Sequence, residues 1–159
     1  MRKRQLILII TDIIMEKVKN RHDNSPPSKI VMTFGTFDYL HPGHIYYLSE
    51  ARKYGDYLIT VVARDKTTGT LKGKPTRENE QLRLQKLINA HIADEVLLGS
   101  ETDYYAVLRE KKPDILCFGY DQRSFNSELL TRYLKEHNLS PEIITLDAFE
   151  PEKWKSSKL

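Results

Sequence analysis

Residues 35–44 of the chain have the sequence Gly35-Thr36-Phe37-Asp38-Tyr39-Leu40-His41-Pro42-Gly43-His44. The apolar residues before them, 30–34, form a run that ends at a glycine, which is typical of a buried strand. After them, Ile45, Leu48 and Ala51 recur at helical spacing and predict an amphipathic helix over residues 43–54. The ten residues are therefore predicted to form a strand-to-helix turn.

A turn of this kind is suited to an anion. In an open parallel sheet, ligands bind beyond the carboxyl ends of the strands, where the first N–H groups of a helix point at the ligand. His41 and His44, with Gly43 between them leaving room for a phosphate, would add imidazole donors at the same place. Two histidines that merely decorate the surface of a helix start are the alternative.

The rest of the chain alternates between apolar runs and helical patterns. Strands are predicted at 30–34, 57–63, 95–98, 114–118 and 142–145, and helices at 43–54, 78–90, 104–112 and 127–137. Five strands separated by helices predict an α/β protein with a single doubly wound, five-stranded parallel sheet. The order of the strands does not follow from the pattern alone.

The first 27 residues are predicted to lie outside the sheet. A basic start followed by apolar residues at helical spacing predicts an amphipathic helix, and no small-residue cleavage site follows that would indicate a signal peptide. Residues 22–28 contain two prolines and predict a linker, which divides the chain into a helix with its linker, 1–27, and one domain, 28–159. The wide apolar face predicts packing on the domain or on a second copy of the chain, as a homodimer.

Composition narrows the class of protein. The 25 Lys and Arg residues against 22 Asp and Glu give a net charge of +3, too evenly mixed to indicate nucleic-acid binding but compatible with a small anionic substrate. Asp12 interrupts the longest apolar stretch, so we expect no membrane span and a cytoplasmic protein. The single cysteine, Cys117, lies in an apolar run and is predicted to be buried and inert, without a disulfide or a cysteine-rich metal site.

The turn resembles the signature G-T-F-D-x-x-H-x-G-H of the cytidylyltransferase-like nucleotidyltransferases. The specified positions are filled here by Gly35, Thr36, Phe37, Asp38, His41, Gly43 and His44. The resemblance implies a Rossmann-like nucleotidyltransferase fold with strand order 3-2-1-4-5 and a site over the first and fourth strands. It also implies that the nucleotide contacts Thr36, Phe37, His41, Pro42, Gly43 and His44.

Residues 67–75 form a basic segment after the second predicted strand. Its Gly69-to-Lys74 spacing imitates a P-loop, but the glycines are one residue too close and Pro75 replaces the magnesium-binding hydroxyl, so we reject that interpretation. The resemblance implies instead a mobile loop that closes over a triphosphate, with Lys72 catalytic and Lys74 binding the substrate. A solvated basic loop is the alternative.

Arg83, in the next predicted helix, has two interpretations. The resemblance implies that it orders the site or binds the substrate phosphate, whereas its spacing from Glu80 favours a surface salt bridge.

The nucleotide pocket is expected after the fourth strand. There Gly119 admits the ligand closely and Asp121, in preference to Gln122, offers oxygens to ribose or base. Phe149 is predicted to cover the base or else to lie in the core. Ser156 and Ser157, within a basic tail, resemble the phosphate-binding last motif of the family; a simple basic tail is the alternative.

The implied reaction is the transfer of a nucleoside monophosphate from a nucleoside triphosphate to a phosphate-bearing acceptor, with release of pyrophosphate. His41, His44 and Lys72 would stabilise the transferred group, and Mg²⁺ would arrive with the triphosphate without a protein metal site. Segments 61–65, 72–75, 119–122 and 155–158 look most like archaeal FAD synthases, which favours ATP with FMN. A cytidylyltransferase acting on CTP and glycerol 3-phosphate, and a non-catalytic nucleotide-binding module, are the alternatives.

Overall fold

A computed structural model describes residues 8, 9, 11, 12, 15, 26–122 and 128–147, excluding the side chains of residues 71 and 72. The strands are β1 (Ile30–Gly35), β2 (Tyr57–Val62), β3 (Glu95–Leu98), β4 (Ile115–Gly119) and β5 (Glu142–Leu146). The helices are α1 (Pro42–Arg52), α2 (Asp65–Lys72), α3 (Glu80–Ala90), α4 (Ala106–Lys111) and α5 (Glu128–Glu136).

The five strands form one sheet in the order β3-β2-β1-β4-β5, and every neighbouring pair is parallel. This confirms both the predicted fold class and the predicted strand order. At the centre, Thr33 of β1 stands beside Thr60 of β2, and their hydroxyl oxygens lie 3.0 Å apart, so two buried polar groups satisfy each other. The order places the carboxyl ends of β1 and β4 side by side at the switch point of the sheet.

Helices cover both faces of the sheet. Because side chains alternate along a strand, Val31 and Met32 of β1 enter different clusters. Val31 packs in a cluster that contains Leu48 of α1 and Leu87 of α3, whereas Met32 packs in one that contains Leu108 of α4 and Leu130 of α5. Cys117 is buried in the first cluster, and burial raises the pKa of its thiol to about 12, as expected for an inert residue.

Three aspartates fix the amino edge of the sheet. Each lies just before or near the start of a strand and accepts a backbone N–H from the beginning of a neighbour: Lys29 N to Asp56, Leu58 N to Asp94, and Ile30 N to Asp114, at 2.7 to 2.8 Å. Asp94 also pairs with the buried guanidinium of Arg52 at 2.5 Å. The turns after β1 and β4 lie at the opposite, carboxyl edge of the sheet.

The segment after β2 differs from the sequence-based prediction. Residues 65–72 form helix α2, so the prediction of a mobile loop is wrong for its first part, 67–72. The threonines and the glycine of this segment favour helix poorly, but the Glu80 carboxylate accepts the Asp65 N–H at 2.8 Å and so caps the first turn from outside. Tertiary contact therefore outweighs local propensity here.

The described residues of the N-terminal segment are helical, as predicted. Ile9 is half-buried against the cluster that lies between the sheet and helices α1 and α3, while Leu8 and Met15 are 61% and 53% exposed. The helix therefore packs on its own domain through Ile9. Across the described residues, no helix is long and apolar enough to cross a membrane.

Candidate active site

The predicted strand-to-helix turn joins β1 to α1, and two histidines cap the helix. Nδ1 of His41 accepts the Gly43 N–H at 3.1 Å, and Nδ1 of His44 accepts the His41 N–H at 3.3 Å. The two rings stack with their centroids 3.7 Å apart, and Pro42 occupies the first helical position. Both imidazoles are thus fixed at the helix N-terminus rather than decorating its surface.

The two caps determine the tautomers. Because each Nδ1 acts as an acceptor, the proton of each neutral ring resides on Nε2, which makes Nε2 a donor. Burial lowers the pKa of His41, so this ring is neutral at pH 7. The turn therefore presents neutral N–H donors together with the dipole of α1, an arrangement suited to the oxygens of a phosphate.

The backbone of the turn is strained and is held by its neighbours. Phe37 and Tyr39 have φ of 54° and 53°, in the left-handed region that residues other than glycine rarely adopt. The Phe37 ring is 3% exposed and packs edge-on against His44, with centroids 5.4 Å apart. A Cβ on Gly35 would lie 2.8 Å from the Phe37 ring, so only glycine allows this packing. Phe37, which was predicted to contact the nucleotide, thus packs against His44 and helps to hold its ring in place.

Asp38 ties the turn to the segment that precedes α3. Its two carboxylate oxygens accept the backbone N–H groups of Arg77 and Glu78, each at 3.0 Å. Sequence reasoning found Asp38 in the motif but gave it no role. A local pattern gives no signal for this role, because the two N–H groups lie 39 and 40 residues further along the chain.

Arg83 lies in the interior and has 0% exposure, so the predicted Glu80–Arg83 surface salt bridge is wrong. Its guanidinium donates to Thr36 O at 2.5 Å, Ala63 O at 2.9 Å, Glu78 O at 3.1 Å and Asp65 Oδ1 at 2.7 Å. Glu80 pairs instead with Arg64 at 2.9 Å. Four of the five guanidinium N–H donors are thus engaged with the protein, which corresponds to ordering the site.

Asp65 is the acidic centre of this network. Burial alone would raise the pKa of Asp65, but hydrogen bonds from Arg83, the Glu80 backbone N–H and Thr76 outweigh it and hold the pKa below its usual range. The ionised carboxylate therefore balances the buried charge of Arg83. At the sequence level Asp65 was included only within segment 61–65, and this role was not predicted.

The turn after β4 lies beside β1. Gln122 donates from Nε2 to Phe34 O at 2.7 Å and accepts the Gly119 N–H at 2.7 Å, joining the carboxyl ends of the two strands. Tyr47 of α1 donates to Cys117 O at 2.7 Å, and burial raises the pKa of its phenol. Asp121 is exposed and Gly119 is half-buried, so the residue preferred for ligand contact is accessible while Gln122 is engaged. Sequence reasoning missed Tyr47 entirely.

The basic segment borders a cavity of about 580 Å³ beside α2. Lys74 and Arg77 line it, together with Asp65 and Thr76. Lys72 is the last residue of α2, and its side chain lies outside the described part of the chain, as do Phe149, Ser156 and Ser157. Of the other predicted site residues, Thr36, Pro42, Gly43 and His44 are half-buried in the first turn.

Comparison with known proteins identifies the chain's relatives. The model of the family described as Cytidylyltransferase-like matches residues 32–159. The FAD synthase of Picrophilus torridus is 38% identical over 129 residues, 81% of this chain and 91% of that protein. The FAD synthase of Methanosarcina barkeri is 45% identical over 116 residues, 73% of this chain and 81% of that protein.

Solved structures agree with the fold. A protein of Thermoplasma volcanium described as a lipopolysaccharide core biosynthesis protein superposes with a TM-score of 0.71 at 37% identity, covering 77% of this chain and 98% of the other. A pantoate-beta-alanine ligase from Francisella tularensis, at 16% identity and a TM-score of 0.53, shares the fold over 91% of this chain and 72% of the other. With the family model matching most of its length, the chain belongs to the cytidylyltransferase-like family.

Proposed function

We propose that the protein is an FMN adenylyltransferase, which converts ATP and FMN to FAD and pyrophosphate. The observation that carries the proposal is the helix start capped by His41 and His44, whose neutral Nε2–H donors are fixed before any substrate arrives. The similarity to FAD synthases over most of both chains favours ATP and FMN over the CTP-dependent alternative. A non-catalytic binding module would not need two prepositioned donors.

In this reaction an oxygen of the FMN phosphate attacks the α-phosphorus of ATP. A new P–O bond forms, the bond to the β-phosphate bridge breaks, and pyrophosphate leaves with the electron pair. The acceptor phosphate is already ionised at neutral pH, so no protein base is required. Catalysis then consists of positioning and charge stabilisation, to which fixed donors contribute without reorganisation during the reaction.

Each residue of the site has a proposed part in this scheme. His41 and His44 donate to the phosphate oxygens of ATP, beside Thr36, Pro42 and Gly43 of the same turn. Lys72 covers the triphosphate, and Lys74 binds the acceptor. Gly119 and Asp121 receive the ribose and base, with Phe149 against the base and Ser156 and Ser157 at the leaving pyrophosphate. Arg83 acts by holding the turn rather than by touching the substrate.

Magnesium enters this scheme as part of the nucleotide. Among the described residues, no group of three His, Cys, Asp or Glu side chains is arranged to hold a metal ion. We therefore propose that oxygens of the triphosphate supply the ligands of Mg²⁺ and that the ion reduces the negative charge on the phosphates. We further propose that the reaction takes place in the cytoplasm. We also propose that the nucleotidyltransferase domain of the chain begins at residue 28.

The reaction predicts a specific product. Incubation of the protein with ATP, FMN and Mg²⁺ is expected to form FAD and pyrophosphate in equal amounts, as measured by chromatography and a pyrophosphate assay. CTP with glycerol 3-phosphate is expected to give little product. A clear preference for CTP with any alcohol phosphate would overturn the adenylyltransferase assignment.

His44→Ala is expected to lower kcat by on the order of 10²-fold with only a small change in the KM for ATP, because the lost donor acts mainly on charge that develops in the transition state. The same substitution at His41 should behave similarly. His91→Asn serves as a control, since His91 is exposed at the end of α3 in a left-handed conformation that asparagine tolerates. Near-normal turnover of the His44 variant would contradict the proposed role.

The cap also predicts a pH dependence of stability. The pKa of folded His41 lies below its ordinary value of 6.5, so the unfolded chain takes up a proton more readily and stability is lost as the pH falls through this range. His41→Asn keeps a good N-cap but removes the titration. Its melting temperature should therefore fall less steeply than that of the wild type between about pH 7.5 and about pH 5. Parallel curves for the two proteins, with His91→Asn as reference, would refute this.

We propose finally that the protein forms a homodimer through exposed residues of the N-terminal helix. Leu8 and Met15 are 61% and 53% exposed, and a second copy would cover them. Sedimentation at tens of micromolar should then give the mass of a dimer, and Leu8→Lys should shift it to the monomer. A monomer in the unsubstituted protein would rule the dimer out.

A further inference from the structure

Two polar side chains cross the switch point of the sheet, one from the turn after β4 and one from α1. The first is Gln122, which accepts the Gly119 N–H on Oε1 and donates from Nε2 to Phe34 O, each at 2.7 Å. Because a backbone N–H can only donate, this contact fixes the orientation of the amide: Oε1 faces Gly119, and Nε2 faces the end of β1. One side chain thus joins the turn after β4 to β1.

The second side chain is Tyr47, which reaches the same place from α1. Its hydroxyl donates to Cys117 O at 2.7 Å, and the hydroxyl oxygen lies 3.3 Å from Gln122 Oε1 and 3.4 Å from Phe34 O. Burial raises the pKa of the phenol, so the hydroxyl keeps its proton and remains a donor at neutral pH. Helix α1 is therefore held at the ends of both β1 and β4.

Tyr47 connects this contact to the histidine turn. It stands three residues after His44 on the helix that the two histidines cap, and residues at that spacing share a helix face. The Phe37 ring packs against both side chains, with its centroid 5.4 Å from that of His44 and 6.4 Å from that of Tyr47. The same group of contacts therefore sets the position of the histidine turn relative to the turn after β4.

We propose that Tyr47 and Gln122 are positioning residues, which hold the turn after β4 at the distance from the histidine turn that one nucleotide can span. The inference rests on the proposed function, since it takes these two turns as the two ends of the ATP site. Two parts of one ligand reinforce each other only when their sites have the spacing of the ligand itself. Loss of the contact should therefore weaken the binding of a whole nucleotide but not that of its phosphates alone.

Tyr47→Phe removes the hydroxyl and keeps the ring that packs on Phe37. Without FMN, titration calorimetry should show a Kd for ATP that is about fivefold higher, because one buried hydrogen bond is lost. The Kd for inorganic tripolyphosphate, which has no nucleoside, should remain at the wild-type value. In the complete reaction the KM for ATP should rise by the same factor, with kcat and the KM for FMN unchanged.

Tyr133→Phe is the matched control for this variant. It also removes one phenol oxygen, but Tyr133 lies on α5, where its ring packs between those of Tyr105 and His137. Equal weakening of ATP and tripolyphosphate in Tyr47→Phe would mean that the histidine turn itself is damaged, and would overturn the proposal. An unchanged Kd for ATP, or the same loss in the control, would overturn it as well.

Gln122→Met tests whether the two residues act together, since methionine has a similar shape but makes neither hydrogen bond. The Kd for ATP should rise about tenfold, while Gln85→Met, at an exposed position of α3, should have no effect. The double variant of Tyr47 and Gln122 should lose about tenfold, well below the roughly fiftyfold product of the single losses. Single losses that multiply would show two independent contacts and overturn the shared role.

The two proposals fail differently. If the wild-type protein binds ATP but forms no FAD, the proposed function is wrong, and the binding measurements still decide the role of Tyr47 and Gln122. If it forms FAD and the variants bind ATP as the wild type does, the function stands and these residues do not position the nucleotide. A wild-type protein that binds no ATP would refute both proposals.

Discussion

The site depends on one buried guanidinium. Arg83 has 0% exposure, and its donors reach the turn after β1, the end of β2, the start of α2 and the segment before α3. A charge buried this deeply is tolerated only when it is matched, and the Asp65 carboxylate at 2.7 Å provides the match. Because all four segments share one cation, they cannot shift independently. The turn that carries the histidines is one of these segments and is therefore held in place as well.

The two edges of the sheet are stabilised by different means. At the amino edge, the carboxylates of Asp56, Asp94 and Asp114 accept backbone N–H groups at the starts of neighbouring strands. At the carboxyl edge, Arg83 joins the turn after β1 to segments after β2, and Gln122 joins the ends of β1 and β4. Phe37 and Tyr39 adopt left-handed backbone angles there. Strain of this kind persists only where surrounding contacts over-determine it, and here it fixes the orientation of the histidine turn.

Sequence reasoning succeeded where a local pattern carries the information. Apolar runs and helical spacing predicted all five strands and four of the five helices that the structure describes in residues 28–147, with boundaries that agree to within two residues. It missed α2, whose Gly69 and threonines argue against helix and whose first turn is capped by Glu80 from another segment. The pattern did not decide whether Arg83 is buried or exposed, because Glu80 at helical spacing is also a plausible partner. One of the acceptors that Arg83 actually uses, Thr36 O, is 47 residues away in the sequence. Long-range contacts of this kind leave no periodic trace.

The use of histidine as a helix cap follows from the charge of the expected substrate. Aspartate or serine at position 41 would cap α1 equally well, since both accept a backbone N–H. Aspartate, however, would bring a negative charge to the place where phosphate is proposed to bind, and serine has one oxygen for both the cap and the ligand. An imidazole divides the two tasks between its nitrogens: Nδ1 accepts the Gly43 N–H, and Nε2 carries the donor. His44 repeats the division by accepting the His41 N–H. Folding of the helix therefore sets the tautomer that the proposed phosphate contact requires, through the same hydrogen bonds that stabilise the turn.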